Sequence, residues 1–185
     1  MDIPKPNSQC LLIAMPTLID PFFGRTTTLL HSFTKEGAMG FILNRPLKLH
    51  MSQLLGKEIP KDFNAPIYWG GPVQPERGWI LHREPALEKE SISVAPGLFL
   101  TSSDQALQTL TATSIQQNLY RMFLGYAGWD EGQLEKEMSE SSWVTAPIQS
   151  DFVFDLNPET IWERSLQSIG VSPDHLAPSD SSTLQ

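Results

Sequence analysis

The sequence predicts an α+β fold in a single domain. Short apolar or β-branched runs recur along the chain, each closed by Gly, Pro or Asn. Helical patterns fall irregularly among them, without the strict strand–helix alternation of a doubly wound sheet. The chain has 185 residues and 40 % hydrophobic content, with no internal repeat or interdomain linker, which suits one domain with a substantial core.

Residues 1–8 hold two prolines and little apolar content, and read as a flexible lead-in. The main domain is expected over 9–171, and 172–185, rich in Ser, Pro and Asp, as a mobile tail. Cys10 to Met15 is wholly apolar, a candidate buried strand. Arg25 to Phe33 carries three consecutive threonines, and β-branched residues favour a second strand. A third runs from Gly37 to Leu43 and is stopped by the Asn44-Arg45-Pro46 turn. Met51 to Leu55 suits one or two helical turns, and Ile67 to Trp69 and Gly78 to His82 are short strands. Ser91–Val94 and Leu98–Thr101 form a hairpin around Ala95-Pro96-Gly97.

Ser102 or Ser103 can cap a helix with Ala106, Leu107 and Leu110 on one face. Leu119 to Tyr126 is a strand, and Asp130 to Glu140 an acidic helix with Leu134 and Met138 four apart. Trp143–Ala146 and Phe152–Phe154 read as strands. Asn157 then caps a last helix with proline at its first position, a buried stripe of Ile161, Trp162, Leu166 and Ile169, and Gly170 at its end.

Composition narrows the functional classes. Acidic residues number 21 against 13 basic, a formal charge of −8, and no Lys/Arg cluster appears. Direct nucleic-acid binding normally needs such a cluster to displace counterions, so it is not expected. One cysteine allows no internal disulfide, and the start of the chain lacks a signal-peptide pattern, which points to the cytoplasm. No run approaches the roughly 20 apolar residues of a membrane span. His31, His50, His82 and His175 have no metal-ligand spacing, so neither a metal nor another cofactor is implied.

Four blocks stand out: DPFFGR at 20–25, GAMGFILNRP at 37–46, GGPVQPERGWILH at 70–82 and LGYAGWDEGQLEKE at 124–137. The third block, opening Gly70-Gly71-Pro72, could cradle an anion through backbone amides, but it lacks the lysine of a phosphate loop and reads better as a tight turn. Tyr126 and Trp129 could stack on a ligand or fill the core. Arg45, between Asn44 and Pro46, is a planar fork for a carboxylate or phosphate, or for an internal aspartate.

Together the blocks resemble the YqgE/AlgH family of small bacterial proteins, from about Leu11 to Val171. The resemblance implies a single domain with a small barrel-like, branched β-sheet flanked by helices. Members are commonly labelled transcriptional regulators on a genetic association, and no helix-turn-helix is evident here. Many relatives carry Cys-Glu-His where this chain has His31-Ser32-Phe33.

The expected activity is that of a binding or regulatory protein acting through a protein partner or a small anionic ligand. The alternative is an enzyme acting on a small anionic substrate. Strand-end loops are where a rigid sheet places binding groups. The candidate ligand residues are therefore Asn44, Arg45, Gly70, Gly71, Arg77, Tyr126 and Trp129. No catalytic residue is singled out.

Overall fold

A computed structural model describes residues 9–55, 65–112, 115–154 and 157–172. The expected lead-in and the tail beyond residue 172 lie outside them.

The strands are β1 (Cys10–Ala14), β2 (Thr27–Thr34), β3 (Gly37–Ile42), β4 (Pro46–His50), β5 (Pro66–Trp69), β6 (Val73–His82), β7 (Ile92–Ala95), β8 (Leu98–Thr101), β9 (Tyr120–Asp130) and β10 (Trp143–Ala146). The helices are α1 (Met51–Leu55), α2 (Asp104–Ala112), α3 (Gln133–Ser139), α4 (Ser150–Phe154) and α5 (Pro158–Ser168). The main path of the sheet runs β10-β1-β2-β3-β9-β6-β8-β7 and is antiparallel. It curls into a half-barrel, giving a single α+β domain.

The sheet branches at β9. One flank of this strand is shared: Ala127–Asp130 pair with β3, while Met122–Leu124 pair in parallel with β5, which carries β4. The other flank pairs with β6. The segment joining β5 to β6 therefore crosses over β9, at Gly70-Gly71. Gly70 N–H donates to Leu124 O at 2.8 Å, and Ile42 N–H donates to Gly70 O at 3.0 Å. A Cβ on Gly70 would strike the Gly125 carbonyl, one on Gly71 the Tyr126–Ala127 peptide, and one on Gly125 the Gly71 carbonyl. Gly71 and Gly125 also have φ of 152° and 66°, which L side chains rarely adopt. Close approach of two backbones is what the paired glycines allow.

Three apolar clusters hold the layers. α4 and α5 place Phe152, Val153, Ile161, Trp162 and Leu166 against Leu11, Ile13, Phe41 and Phe123. α3 places Leu134 and Met138 against Leu12, Leu30, Trp129 and Trp143. α1 and α2 place Met51, Ala106 and Leu110 against Ile67, Ile80 and Met122. β1 supplies both of the first two clusters from alternate faces, so it reads as an unbroken apolar run. Asn157 caps α5 by accepting Glu159 N–H at 3.0 Å, with Pro158 opening the helix.

The structure departs from the sequence reading in four places. Phe152–Phe154 lies in helix α4, because a short apolar run carries no period of its own. β3 does end ahead of the Asn44-Arg45-Pro46 turn, but Pro46 opens a strand not expected from sequence, β4, which among the described residues pairs only with β5, so its missing N–H faces an edge. β6 and β9 extend beyond the predicted spans, since β6 continues through a bulge and β9 through its glycines to Asp130. α3 starts at Gln133, behind a left-handed Gly132.

Candidate functional site

An apolar groove lies between α1 and α2, over the face made by β5, β9 and β6. Its volume is about 360 Å³, within the range of small-molecule sites. Met51 and Leu54 of α1, Leu107 of α2, and Ile67, Ile80 and Met122 of the sheet form its walls. Glu76, Arg77, Ser102, Ser103 and Asp104 surround the mouth.

The local sequence explains how Arg77 reaches that mouth. Val73 pairs with Tyr126 and Gly78 with Leu124, so Gln74, Pro75, Glu76 and Arg77 face Gly125 alone. Pro75 has no N–H to give to the ladder, and Gln74 turns at φ 47°. The missing side chain of Gly125 makes room for this wide bulge: a Cβ there would sit 3.2 Å from the Pro75 Cα. Arg77 then lies with its guanidinium carbon 4.6 Å from the Trp79 ring centre, and donates from Nη2 to Ser102 Oγ at 3.0 Å. No carboxylate pairs with it among the described residues, although Glu76 and Asp104 line the same mouth. Ser103 caps α2 by accepting Ala106 N–H at 3.3 Å.

The other sequence-predicted residues fall elsewhere. Asn44 is a buried brace: Oδ1 accepts Thr27 N–H at 3.0 Å and Nδ2 donates to Arg25 O at 2.9 Å. Arg45 lines a separate cavity of about 220 Å³ with Arg25, Pro158, Glu159 and Trp162. It donates from Nη2 to Gly24 O at 2.6 Å, and no aspartate pairs with it among the described residues. Burial first, and the Arg25 charge second, lower its pKa.

Gly70 and Gly71 form the crossing over β9. Tyr126 and Trp129 border a shallow surface hollow with Glu36 and Asp130. Trp129 itself is buried, and its indole N–H donates to Glu137 at 3.0 Å. Thus Arg77 stands at the apolar groove, Asn44 and Arg45 at a second cavity, and Tyr126 and Trp129 at a third. The groove walls went unrecognised in the sequence, because Met51, Ile67, Ile80 and Met122 look like core residues. A usable signal was Pro75 inside an otherwise strand-like run, which marks a bulge.

Among the described residues, none of the groups whose proton affinity burial changes lines the groove. Burial pushes the Cys10 thiol up to about 11 and Tyr120 up to about 12. His82 is buried at the end of β6 with both nitrogens bonded. Ser91 Oγ donates to Leu87 O at 2.6 Å, so it accepts from His82 Nε2–H at 2.7 Å. His82 Nδ1 accepts Glu84 N–H at 3.3 Å. This fixes the neutral Nε2–H tautomer, and burial lowers the pKa despite the opposing effects of Glu84. Among the described residues no group of three or more His, Cys, Asp or Glu is placed to hold a metal ion. No helix of the described residues is long and apolar enough to cross a membrane.

Comparison with known proteins agrees with this architecture. The AlgH-like family model, DUF179, matches residues 11–174. A UPF0301 protein of Azoarcus sp. (strain BH72) is 39 % identical over 165 residues, covering 86 % of this chain and 87 % of that one. A UPF0301 protein of Dechloromonas aromatica is 37 % identical over 166 residues, covering 87 % and 89 %. The solution structure of the AlgH protein from Pseudomonas aeruginosa superposes with a TM-score of 0.76 at 33 % identity, over 97 % of this chain and 98 % of that one. A Corynebacterium diphtheriae crystal structure shares the fold at a TM-score of 0.73 and 19 % identity, over 91 % and 90 % of the two chains. The chain belongs to the AlgH-like family.

Proposed function

We propose that this chain is a binding protein for a small amphipathic anion, with the ligand's apolar body in the groove between α1 and α2 and its head group at Arg77. The carrying observation is the bulge that sets an arginine, free of any carboxylate partner among the described residues, at the mouth of an apolar groove. Apolar walls supply most of the binding energy, at roughly 25 cal/mol per Å² buried. The guanidinium, held by Ser102 and the Trp79 ring, supplies orientation. Glu76 and Asp104 disfavour a second negative charge beside it, so a monoanion such as a carboxylate suits the mouth better than a phosphate dianion. Any regulatory action then proceeds through ligand or protein partner in the cytoplasm. The net charge of −8 supports this over contact with duplex DNA.

Titrating the labelled protein with decanoate and with decanol, followed by amide and methyl NMR, tests the reading. Expected are shifts centred on Leu54, Ile80, Leu107 and Met122 with both compounds. Arg77→Ala should weaken decanoate about tenfold, or about 1.4 kcal/mol, and leave decanol unchanged. Equal loss for both compounds, or shifts centred elsewhere, would refute the assignment.

A further inference from the structure

A second feature is independent of the groove. Four of the large apolar residues in the loop between β1 and β2 face opposite ways. Leu18 and Phe23 pack inward on the α3 cluster, with the Phe23 ring centre 6.2 Å from that of Trp129 and 5.9 Å from that of Trp143. Ile19 and Phe22 face water, 97 % and 55 % exposed. Single exposed apolar residues are ordinary, but a rigid pair is less so.

The loop is locked by its own hydrogen bonds. Asp20 Oδ1 accepts the N–H groups of Phe22 and Phe23, both at 2.8 Å, and Asp20 O accepts Gly24 N–H at 2.9 Å. Leu18 N–H donates to Met15 O at 2.9 Å, and Thr26 Oγ1 to Phe23 O at 2.7 Å.

Two further residues, Trp69 and Arg45, extend the surface. The Phe22 ring lies 5.7 Å from the half-buried Trp69 ring. Trp69 N–H donates to Arg45 O at 2.8 Å, while the Arg45 guanidinium reaches back to Gly24 O at 2.6 Å. Arg45 therefore joins the loop, through its guanidinium, to the Trp69 strand, through its backbone carbonyl. Beside it, Arg25 pairs with Glu163 at 3.1 Å, and its guanidinium carbon sits 4.4 Å from the Trp162 ring centre. Among the described residues, nearby acids include Asp20, occupied with the loop amides, Glu163, paired to Arg25, and Glu159, which borders the Arg45 cavity.

We propose that Ile19, Phe22, Trp69 and Arg45 form a docking surface for a segment of a partner protein that presents an acidic side chain next to an apolar one. Apolar anchors beside an arginine are the composition of binding hot spots. The locked loop lowers the ordering cost of association. Arg45 has a carbonyl partner and no carboxylate among the described residues, so an incoming Asp or Glu completes it.

The test pans a random twelve-residue peptide library on phage against the full chain and measures the enriched peptides by calorimetry. Expected are peptides with Asp or Glu within a few positions of an aliphatic or aromatic residue. Ile19→Ser and Phe22→Ser, each with an unchanged near-UV spectrum, should weaken binding at least tenfold. Arg45→Glu should abolish it and restore it for a peptide with Lys replacing the acid. Should that variant not fold, Arg45→Gln should bind the acidic peptide and its amide analogue equally. Absence of enriched peptides, peptides without acids, or binding unchanged by Ile19→Ser and Phe22→Ser would overturn the proposal. Sedimentation equilibrium showing a dimer broken by those substitutions would assign the surface to a second copy instead. Cosedimentation with phosphatidylglycerol vesicles that the same substitutions remove would assign it to lipid.

Discussion

Trp129 and Trp143 donate their indole N–H groups to one and the same atom, Oε2 of Glu137, at 3.0 and 2.8 Å. The rings meet edge to face, 5.9 Å between centres, and the second carboxylate oxygen accepts Gln133 Nε2 at 2.8 Å. One acidic residue of α3 thus ties the end of β9 to the start of β10.

Removing that acceptor leaves two buried donors unpaired. Glu137→Ala is expected to destabilise the fold by about 2 kcal/mol or more. Urea unfolding measures the loss, and tryptophan emission should shift to the red in the folded variant. A loss below about 0.5 kcal/mol would show that water replaces the carboxylate without cost.

The crossing over β9 predicts a contrast among glycines. Gly71→Ala places a methyl against the Tyr126–Ala127 peptide at a φ of 152°, and should cost about 3 kcal/mol or more or prevent folding. Gly78→Ala meets nothing within 4 Å and should leave stability within about 1 kcal/mol. Similar melting temperatures for the two variants would contradict the packing described.

Burial lowers the pKa of His82 below the ordinary 6.5, and that of His31 likewise. As pH falls through about 6.5 the unfolded chain takes up these protons before the folded chain does. Stability from these groups is complete above that pH and declines below it, toward the lowered folded values. Denaturation midpoints measured from pH 8 to 5 should decline, and His82→Gln should flatten the decline. A midpoint that rises toward pH 5.5 would reverse the sign.

Cys10, buried in β1 with its thiol raised to about 11, presents little thiolate at neutral pH. Ellman's reagent at pH 7.5 should leave the native chain unmodified over an hour and titrate one thiol at once in guanidinium. Immediate native labelling would place the sulfur at the surface.

Local chemistry made parts of this fold legible from sequence. The Asn157-Pro158 start of α5 follows from one side-chain acceptor and one missing donor, and β1 from a run buried on both faces. Phe152–Phe154 was misread because its helix is a single turn set by packing on the sheet. The bulge at Gln74–Arg77 depends on Gly125, some fifty residues away, and no local pattern encodes that pairing. The groove was hidden for a related reason. Its apolar walls have core composition, and only the position of α1 and α2 leaves the space unfilled. Of the candidate residues, Arg77 stands at the groove, while the turn that singled out Asn44 and Arg45 leads to another surface.

The branch at β9 also bears on the order in which the protein is made. Strands β3, β5 and β6 all pair with β9, and all are synthesised before it. Until Tyr120–Asp130 leaves the ribosome, those three strands keep an unpaired edge, and the Gly70-Gly71 connection has nothing to cross. Such long-range pairing slows folding and exposes sticky edges meanwhile. A nascent chain stalled at Leu119 should therefore be digested by protease along its whole length, and resistance should emerge as a single late step.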